Sequence, residues 1–189
     1  MLAFLSKVFA IIIEGRITHY QWIMGQINPA QFGFTKGRRT LDAVFVLDTL
    51  MAQARAEKRP LYVAFIDFQK AYDLVDRDCL FYKMLNYGID GPILNTIVGM
   101  YRAVRSILRM GTMGHEVSEV IEQLVGLRQG CVLSPCLFTL YIADLPAWLE
   151  AAGTRGVLVM ILGHGCYYML MMRYWWQTRR KTSKKCLEP

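Results

Sequence analysis

Seven residues, Leu61-Tyr62-Val63-Ala64-Phe65-Ile66-Asp67, constrain the fold of this chain more than any other stretch. They run almost unbroken through branched and aromatic side chains and end on a carboxylate, a pattern that predicts a buried strand with its acid at the strand end. An acid there is costly unless something pairs it. Two readings follow. The carboxylate of Asp67, or of Asp73, caps the following helix, or it is held for chemistry.

At 54% hydrophobic and 20% charged, the 189 residues can build a core around such a strand. Leu2, Leu5, Val8, Phe9, Ile12 and Ile13 recur at helical spacing, which predicts an amphipathic helix continuing toward Ile17. Gln31 to Arg39 reads as a basic, glycine-punctuated loop, with Thr40 placed to cap a helix from Leu41 to about Ala56. Helical spacing returns over Ala71 to Leu85 and over Pro92 to Val104, with Pro92 in a first turn. Ser106 to Met110 and Glu116 to Leu124 predict a hairpin around Gly111-Thr112-Met113-Gly114. Ser134-Pro135 reads as a cap and first-turn proline opening a helix to about Ala151.

Several function classes fall away. No run of about twenty apolar residues exists to span a bilayer: Val157 to Met172 is interrupted by Gly163, His164 and Gly165. Lys7 splits the first apolar segment and no cleavage site follows it, so the chain reads as intracellular, nuclear or cytoplasmic, and not secreted. Five scattered cysteines form neither a disulfide framework nor a zinc spacing. His19, His115 and His164 stand singly and read as surface or packing residues. Cys131 and Cys136 flank Ser134 with no histidine nearby in sequence, so they read as buried thiols rather than nucleophiles. Asp144 and Glu150 read as solvated. Of the net charge of +7, six cations against one anion, a balance of +5, lie from Arg173 onward.

Two further stretches join the Asp67 strand. Gly126-Leu127-Arg128-Gln129-Gly130-Cys131-Val132-Leu133-Ser134-Pro135 is a polar, glycine-bearing loop entering a helix, and Gln31-Phe32-Gly33-Phe34 precedes the basic loop. Together with Glu14-Gly15-Arg16, and in this order from about Leu2 to Ala151, they resemble the reverse transcriptase domain of non-LTR, LINE-type retrotransposons. The resemblance implies an α+β fold: right-hand polymerase fingers and a partial palm, an antiparallel sheet backed by helices, with no thumb. It implies roles as well. Asp67 matches the first catalytic aspartate, a ligand of two Mg²⁺ ions, with the Phe68 carbonyl beside it. Tyr72 matches the bulky residue that excludes a ribose 2′-hydroxyl. Gln129 and Gly130 match the loop holding templating base and incoming dNTP. Lys36 and Arg38 fall where the fingers contact the triphosphate, and Arg39 and Arg128 where nucleic acid is contacted. The implied partners are an RNA template, a DNA primer and dNTPs, with no membrane and no specific protein partner.

One aspartate cannot hold two hard cations. The family's Tyr-Ala-Asp-Asp hairpin, expected a few tens of residues after the Ser-Pro helix, is missing from this chain. In its place stands Cys166-Tyr167-Tyr168-Met169-Leu170-Met171-Met172-Arg173-Tyr174-Trp175-Trp176-Gln177. Methionine and tryptophan have single codons, so a shifted reading is unusually determinate. If each codon starts on the third base of the written one, this stretch permits Leu-Leu-Tyr-Ala-Asp-Asp-Ala-Val-Leu-Val-Ala, with both leading leucines, the second aspartate and the closing Leu-Val-Ala forced. The sequence therefore divides into residues 1–160, reverse transcriptase fingers and partial palm, and residues 161–189, a tail read out of frame. On this reading the tail's charge reports no partner, residues beyond about Cys166 do not pack on the palm, and the edge of the Asp67 strand is left open. The chain is expected to be an inactive polymerase domain by descent; the alternative is a catalytically dead fragment with at most weak nucleic-acid binding.

Overall fold

A computed structural model describes residues 4–25, 28–102, 104–107, 109–110, 116–117, 119–152, 157–162 and 167–174. They fall into two compact units, one drawn from Met1–Gln26 and Lys70–Ala143, the other from Ile27–Gln69 and Asp144–Pro189.

The first unit is a helical layer with a short ribbon. Helix α1 (Phe4–Ile23) buries Ala10, Ile13, Ile17 and Gln21, a strip at helical spacing. This corrects the expected face. Leu5 is 78% exposed, and Val8, Phe9 and Ile12 are exposed as well. Helix α1 is apolar on more than one side, and α5 (Leu133–Tyr141), which packs against it, covers only one strip.

Helix α3 spans Arg77–Asn86 rather than starting at Ala71. Lys70 sits in the left-handed region at φ 48°. Its carbonyl accepts from the amides of Asp73 (2.9 Å) and Leu74 (3.1 Å), closing a turn where helix was expected. Asp76 then caps α3, accepting from the Cys79 amide at 2.9 Å. Helix α4 (Gly91–Arg102) carries Pro92 in its first turn, as its sequence predicts. The expected hairpin is present as two antiparallel steps. Strand β2 (Val104–Ser106) pairs with β5 (Ile121–Gln123), and β3 (Arg109–Met110) with β4 (Glu116–Val117); the turn at 111–114 lies outside the described residues.

The helix expected from Ser134 to Ala151 is two. Helix α5 begins at Leu133 with Val132 at its cap and ends at Tyr141. The Tyr141 carbonyl accepts from Lys83 Nζ at 2.6 Å, a cation at a helix C-terminus. After a three-residue turn the chain passes into the second unit, where α6 (Leu145–Ala151) starts with Pro146 in its first positions. Pro146 has no N–H to give and its ring would clash with the carbonyl of Ile142, so one continuous helix cannot form. The core of the first unit holds Ile17, Leu80, Met84, Ile97, Tyr101, Leu133, Leu137 and Leu140.

In the second unit, α2 (Thr40–Ala56) is capped at Arg39, whose amide donates to Asp42 Oδ2 at 2.7 Å; Thr40 is its first residue, not its cap. The Asp42 carboxylate in the first turn reaches back to the amide of the cap residue, and no cap side chain accepts from the first-turn amides as Thr40 was expected to do. Ala43 is buried beneath Phe32, Val46, Leu47, Leu50 and Leu61. Strand β1 (Leu61–Asp67) covers the predicted span and belongs to a three-stranded antiparallel sheet ordered β1-β7-β6, with β6 at Val157–Leu162 and β7 at Tyr167–Tyr174.

Two expectations are corrected here. Strand β1 is not buried on both faces, since Tyr62 (53%) and Phe65 (67%), on opposite faces, are exposed. It is an edge strand of the described sheet, and the buried cluster of α2 reaches only its first residue, Leu61. Nor is its β7 side open, because β7 pairs with it from Leu61↔Tyr174 to Asp67↔Tyr168. A strand ladder is made by main-chain groups, so an apolar stretch in any reading frame can join it. No helix among the described residues is long and apolar enough to cross a membrane.

Candidate functional site

The first unit brings the turn after β1 and the loop before α5 together. The Leu127 amide donates to the Tyr72 carbonyl at 2.8 Å and the Gly126 amide to the Val75 carbonyl at 2.9 Å. Gln129 Nε2 donates to Asp73 Oδ1 at 2.8 Å. Gly126 is held at φ +85°, and a Cβ there would lie 2.6 Å from the Asp73 carbonyl oxygen and 2.9 Å from its Cα, so only glycine permits the approach. Gly130 also has a positive φ, +75°, but nothing lies within 4 Å of where its Cβ would stand. Tyr72 is half-buried, its ring edge-on to Phe138 of α5 at 5.6 Å between centroids. Tyr72, Gln129 and Gly130, singled out in the sequence, are thus carried on one laced pair of loops.

Arg128 faces inward. Its Nη2 donates to the Met100 carbonyl at 2.6 Å, its guanidinium lies 5.8 Å from the Tyr101 ring centroid, and its Nε is buried without a hydrogen-bond partner. The loop's far end is closed by Ser134, whose Oγ donates to the Arg128 carbonyl at 2.6 Å. Its hydroxyl hydrogen bonds that carbonyl rather than capping α5, which corrects the role expected of it; no side chain caps that helix.

Arg77 was missed by sequence reasoning. It is buried, and its guanidinium donates to four main-chain carbonyls: Gly126 (2.8 Å), Tyr101 (3.0 Å), Gln123 (2.7 Å) and Val125 (3.0 Å). It also lies 5.5 Å from the centroid of the Tyr101 ring, so two guanidinium groups approach one phenol ring. Burial lowers the Arg77 pKa, with Tyr101 opposing that and Arg128 adding to it. Burial raises the Tyr101 pKa. A cation in the first turn of a short helix reads as solvated. Nothing local announces that carbonyls 24 to 49 residues away converge on it.

In the second unit, Asp67 closes β1 opposite Tyr168, and Phe68, half-buried, follows it. Lys36 and Arg39 are exposed on the basic loop. Arg38 Nη1 donates to the carbonyls of Pro29, Asn28 (3.4 Å) and Gln31 (2.8 Å), and its guanidinium lies over the Phe32 ring at 5.4 Å. Arg38 therefore closes its own loop. Gln31 is buried, its Nε2 donating to the Gly33 carbonyl at 2.8 Å.

A site for two divalent ions needs several converging carboxylates. Beyond Pro135 the sequence holds only Asp144, Glu150 and Glu188, and the residue across from Asp67 is a tyrosine. Among the described residues, no three of His, Cys, Asp and Glu come together as a metal-holding group. The donors among the described residues do not fit a two-ion site.

Comparison with known proteins gives a consistent picture. The family described as reverse transcriptase (RNA-dependent DNA polymerase) matches residues 1–169. The chain is 29% identical over 146 residues to a probable RNA-directed DNA polymerase from transposon BS of Drosophila melanogaster, covering 77% of this chain and 16% of that protein. It is 28% identical over 126 residues to the retrovirus-related Pol polyprotein from the type-1 retrotransposable element R2 of Popillia japonica, covering 67% and 17%. It is 26% identical over 146 residues to the RNA-directed DNA polymerase from mobile element jockey of Drosophila melanogaster, covering 77% and 16%. The chain spans about one sixth of the length of these curated relatives.

Proposed function

The chain belongs to the reverse transcriptase (RNA-dependent DNA polymerase) family of non-LTR retrotransposons, and we propose that it is a polymerase domain by descent that does not itself catalyse nucleotide addition. Residues 1–160 correspond to fingers and a partial palm, and residues 161–189 are read out of frame. In the intact parent the partners are an RNA template, a DNA primer and dNTPs, inside the cell, in nucleus or cytoplasm. Two Mg²⁺ ions there would hold the attacking 3′-oxygen and the leaving pyrophosphate. Here Asp67 would be a lone ligand beside the Phe68 carbonyl.

The observation that carries the reading is the missing acid pair: Asp67 faces Tyr168, and no Asp-Asp follows Pro135. The pairing of β7 with β1 is compatible with a shifted frame. In the observed register positions 171 and 172 pair with Ala64 and Val63, about 10 and 14 Å along the strand from Asp67 at ~3.4 Å per residue. Restored aspartates would have to slip toward the strand end to share an ion with Asp67.

What this chain's own residues can do is bind. Tyr72 supplies a ring wall where a sugar would sit, Gln129 and Gly130 an exposed polar edge for a base pair, and Lys36 and Arg39 exposed charge for phosphate. Arg38 and Arg128 act as braces of their loops, since their guanidinium groups hydrogen-bond main-chain carbonyls. The test is template-directed dNTP incorporation on an RNA template with a DNA primer, with Asp67→Ala as the blank. We expect the two proteins to be indistinguishable. Incorporation above the blank overturns the proposal.

A further inference from the structure

We propose that Asp73 is a positioning residue: its carboxylate sets the Gln129 amide and so ties the loop assigned to the base pair to the turn that carries Tyr72. The inference rests on the roles given to Tyr72 and Gln129 under the proposed function, and extends them to a residue outside that set.

The two loops meet at three places. Main-chain bonds from Gly126 to Val75 and from Leu127 to Tyr72 fix the start of the loop, and the Gln129 to Asp73 bond fixes its tip. Asp73 is itself buttressed, because Gly126 lies against its main chain closely enough to exclude a Cβ. It therefore offers its carboxylate from a firm base. Gln129, by contrast, is exposed and long, and without a partner it would sample many rotamers.

The chemistry of the acceptor matters as much as the bond. An amide presents a donor edge and an acceptor edge, and either could face a neighbour that both donates and accepts. An ionised carboxylate only accepts. Asp73 therefore draws the Gln129 nitrogen toward itself and turns Oε1 outward, so that one acceptor and the second N–H are presented in a fixed sense. Sugar and base recognition then share one rigid piece. A substitution at Asp73, which is assigned no contact with the nucleotide, should disturb nucleotide selection.

The experiment uses the full 189-residue chain and a fluorescein-labelled RNA-template/DNA-primer duplex, with affinity read by anisotropy alone, with the complementary dNTP, and with a mismatched dNTP. Wild type should gain affinity with the complementary dNTP. Asp73→Asn, which lets the amide flip, should cut that gain about fivefold, the order expected for one ordinary side-chain hydrogen bond, since this one is exposed to water. Asp73→Glu should retain most of it, Gln129→Ala should match Asp73→Asn, and the double variant should lose no more than either. The urea midpoint for alkylation of the buried Cys136 thiol, in the same unit, should be the same for all. Gains equal to wild type in Asp73→Asn, or losses that multiply in the double variant, overturn the inference. A wild type with no dNTP-dependent gain overturns the nucleotide roles of Tyr72 and Gln129 instead. In that case the Gln129 side-chain NH₂ signals decide on positioning: they should be exchange-protected in wild type and not in Asp73→Asn, and identical signals sink it.

Discussion

Replacing Gly126 by alanine, with Gly130→Ala as its control, isolates the packing of the two laced loops. Both glycines have positive φ, +85° and +75°, so each alanine pays about 1 kcal/mol or somewhat more for the left-handed backbone. Their surroundings differ. The new methyl at 126 would stand 2.6 Å from the Asp73 carbonyl oxygen and 2.9 Å from its Cα and C, all main-chain atoms that cannot swing aside, whereas the methyl at 130 meets nothing within 4 Å. Relieving the clash moves Gly126 away from Asp73 and strains the bonds of its amide to Val75, of its carbonyl to Arg77 and of Leu127 to Tyr72. Overpacking of this kind costs roughly 1–3 kcal/mol and each weakened bond about 1 kcal/mol. The expected loss is therefore about 3–5 kcal/mol for Gly126→Ala and about 1 kcal/mol for Gly130→Ala.

Because the chain forms two compact units, a single global unfolding curve is a poor measure. The buried thiol of Cys136, in the unit concerned, reports local opening by its alkylation in increasing urea. With a slope of about 2 kcal/mol per molar urea, the midpoint should fall by about 1.5–2.5 M for Gly126→Ala and by about 0.5 M for Gly130→Ala. Two variants within 0.5 kcal/mol of each other would show that the loop does not rest on Asp73, and the reasoning would fail.

Arg77→Lys should destabilise the same unit by ~2–4 kcal/mol, because an ammonium cannot reach four carbonyls held in a guanidinium's fork, and Arg77→Met by more; a urea midpoint unchanged in Arg77→Met would refute the hub. Burial pushes the Cys136 thiol up to about 12 from an ordinary 9.0, with Glu14 adding and Thr18 opposing. Native Cys136 should therefore resist iodoacetamide at pH 8 while half-buried Cys79 reacts; equal rates would contradict it. An acid with a raised folded pKa keeps its stability contribution below the unfolded value, so the unit should lose stability as pH climbs from 9 toward 12, and Cys136→Ala should lessen that loss. Returning the gene to the frame that encodes Leu-Leu-Tyr-Ala-Asp-Asp, with its downstream sequence, should improve solubility and protease resistance of the β1 sheet; no improvement would count against a shifted frame.

Local patterns determined a good deal. The span of β1, the first-turn proline of α4, the paired strands around residues 106–121 and the segments that mark the family are all written in neighbouring residues, because backbone period, capping and proline geometry act over a few positions. Pro146 announced the break between α5 and α6 in the same way, although apolar spacing masked it. Other features had no local signature. The burial of one face of α1 rather than another, the exposure of Tyr62 and Phe65, the ladder between β1 and β7, the gathering of four carbonyls on Arg77, and the Asp73 bond to Gln129 depend on which surfaces meet. Apolar spacing says that a residue prefers to leave water, but not what it will find. For Asp73 and Gln129, 56 positions apart, only the folded path of the chain supplies the partner.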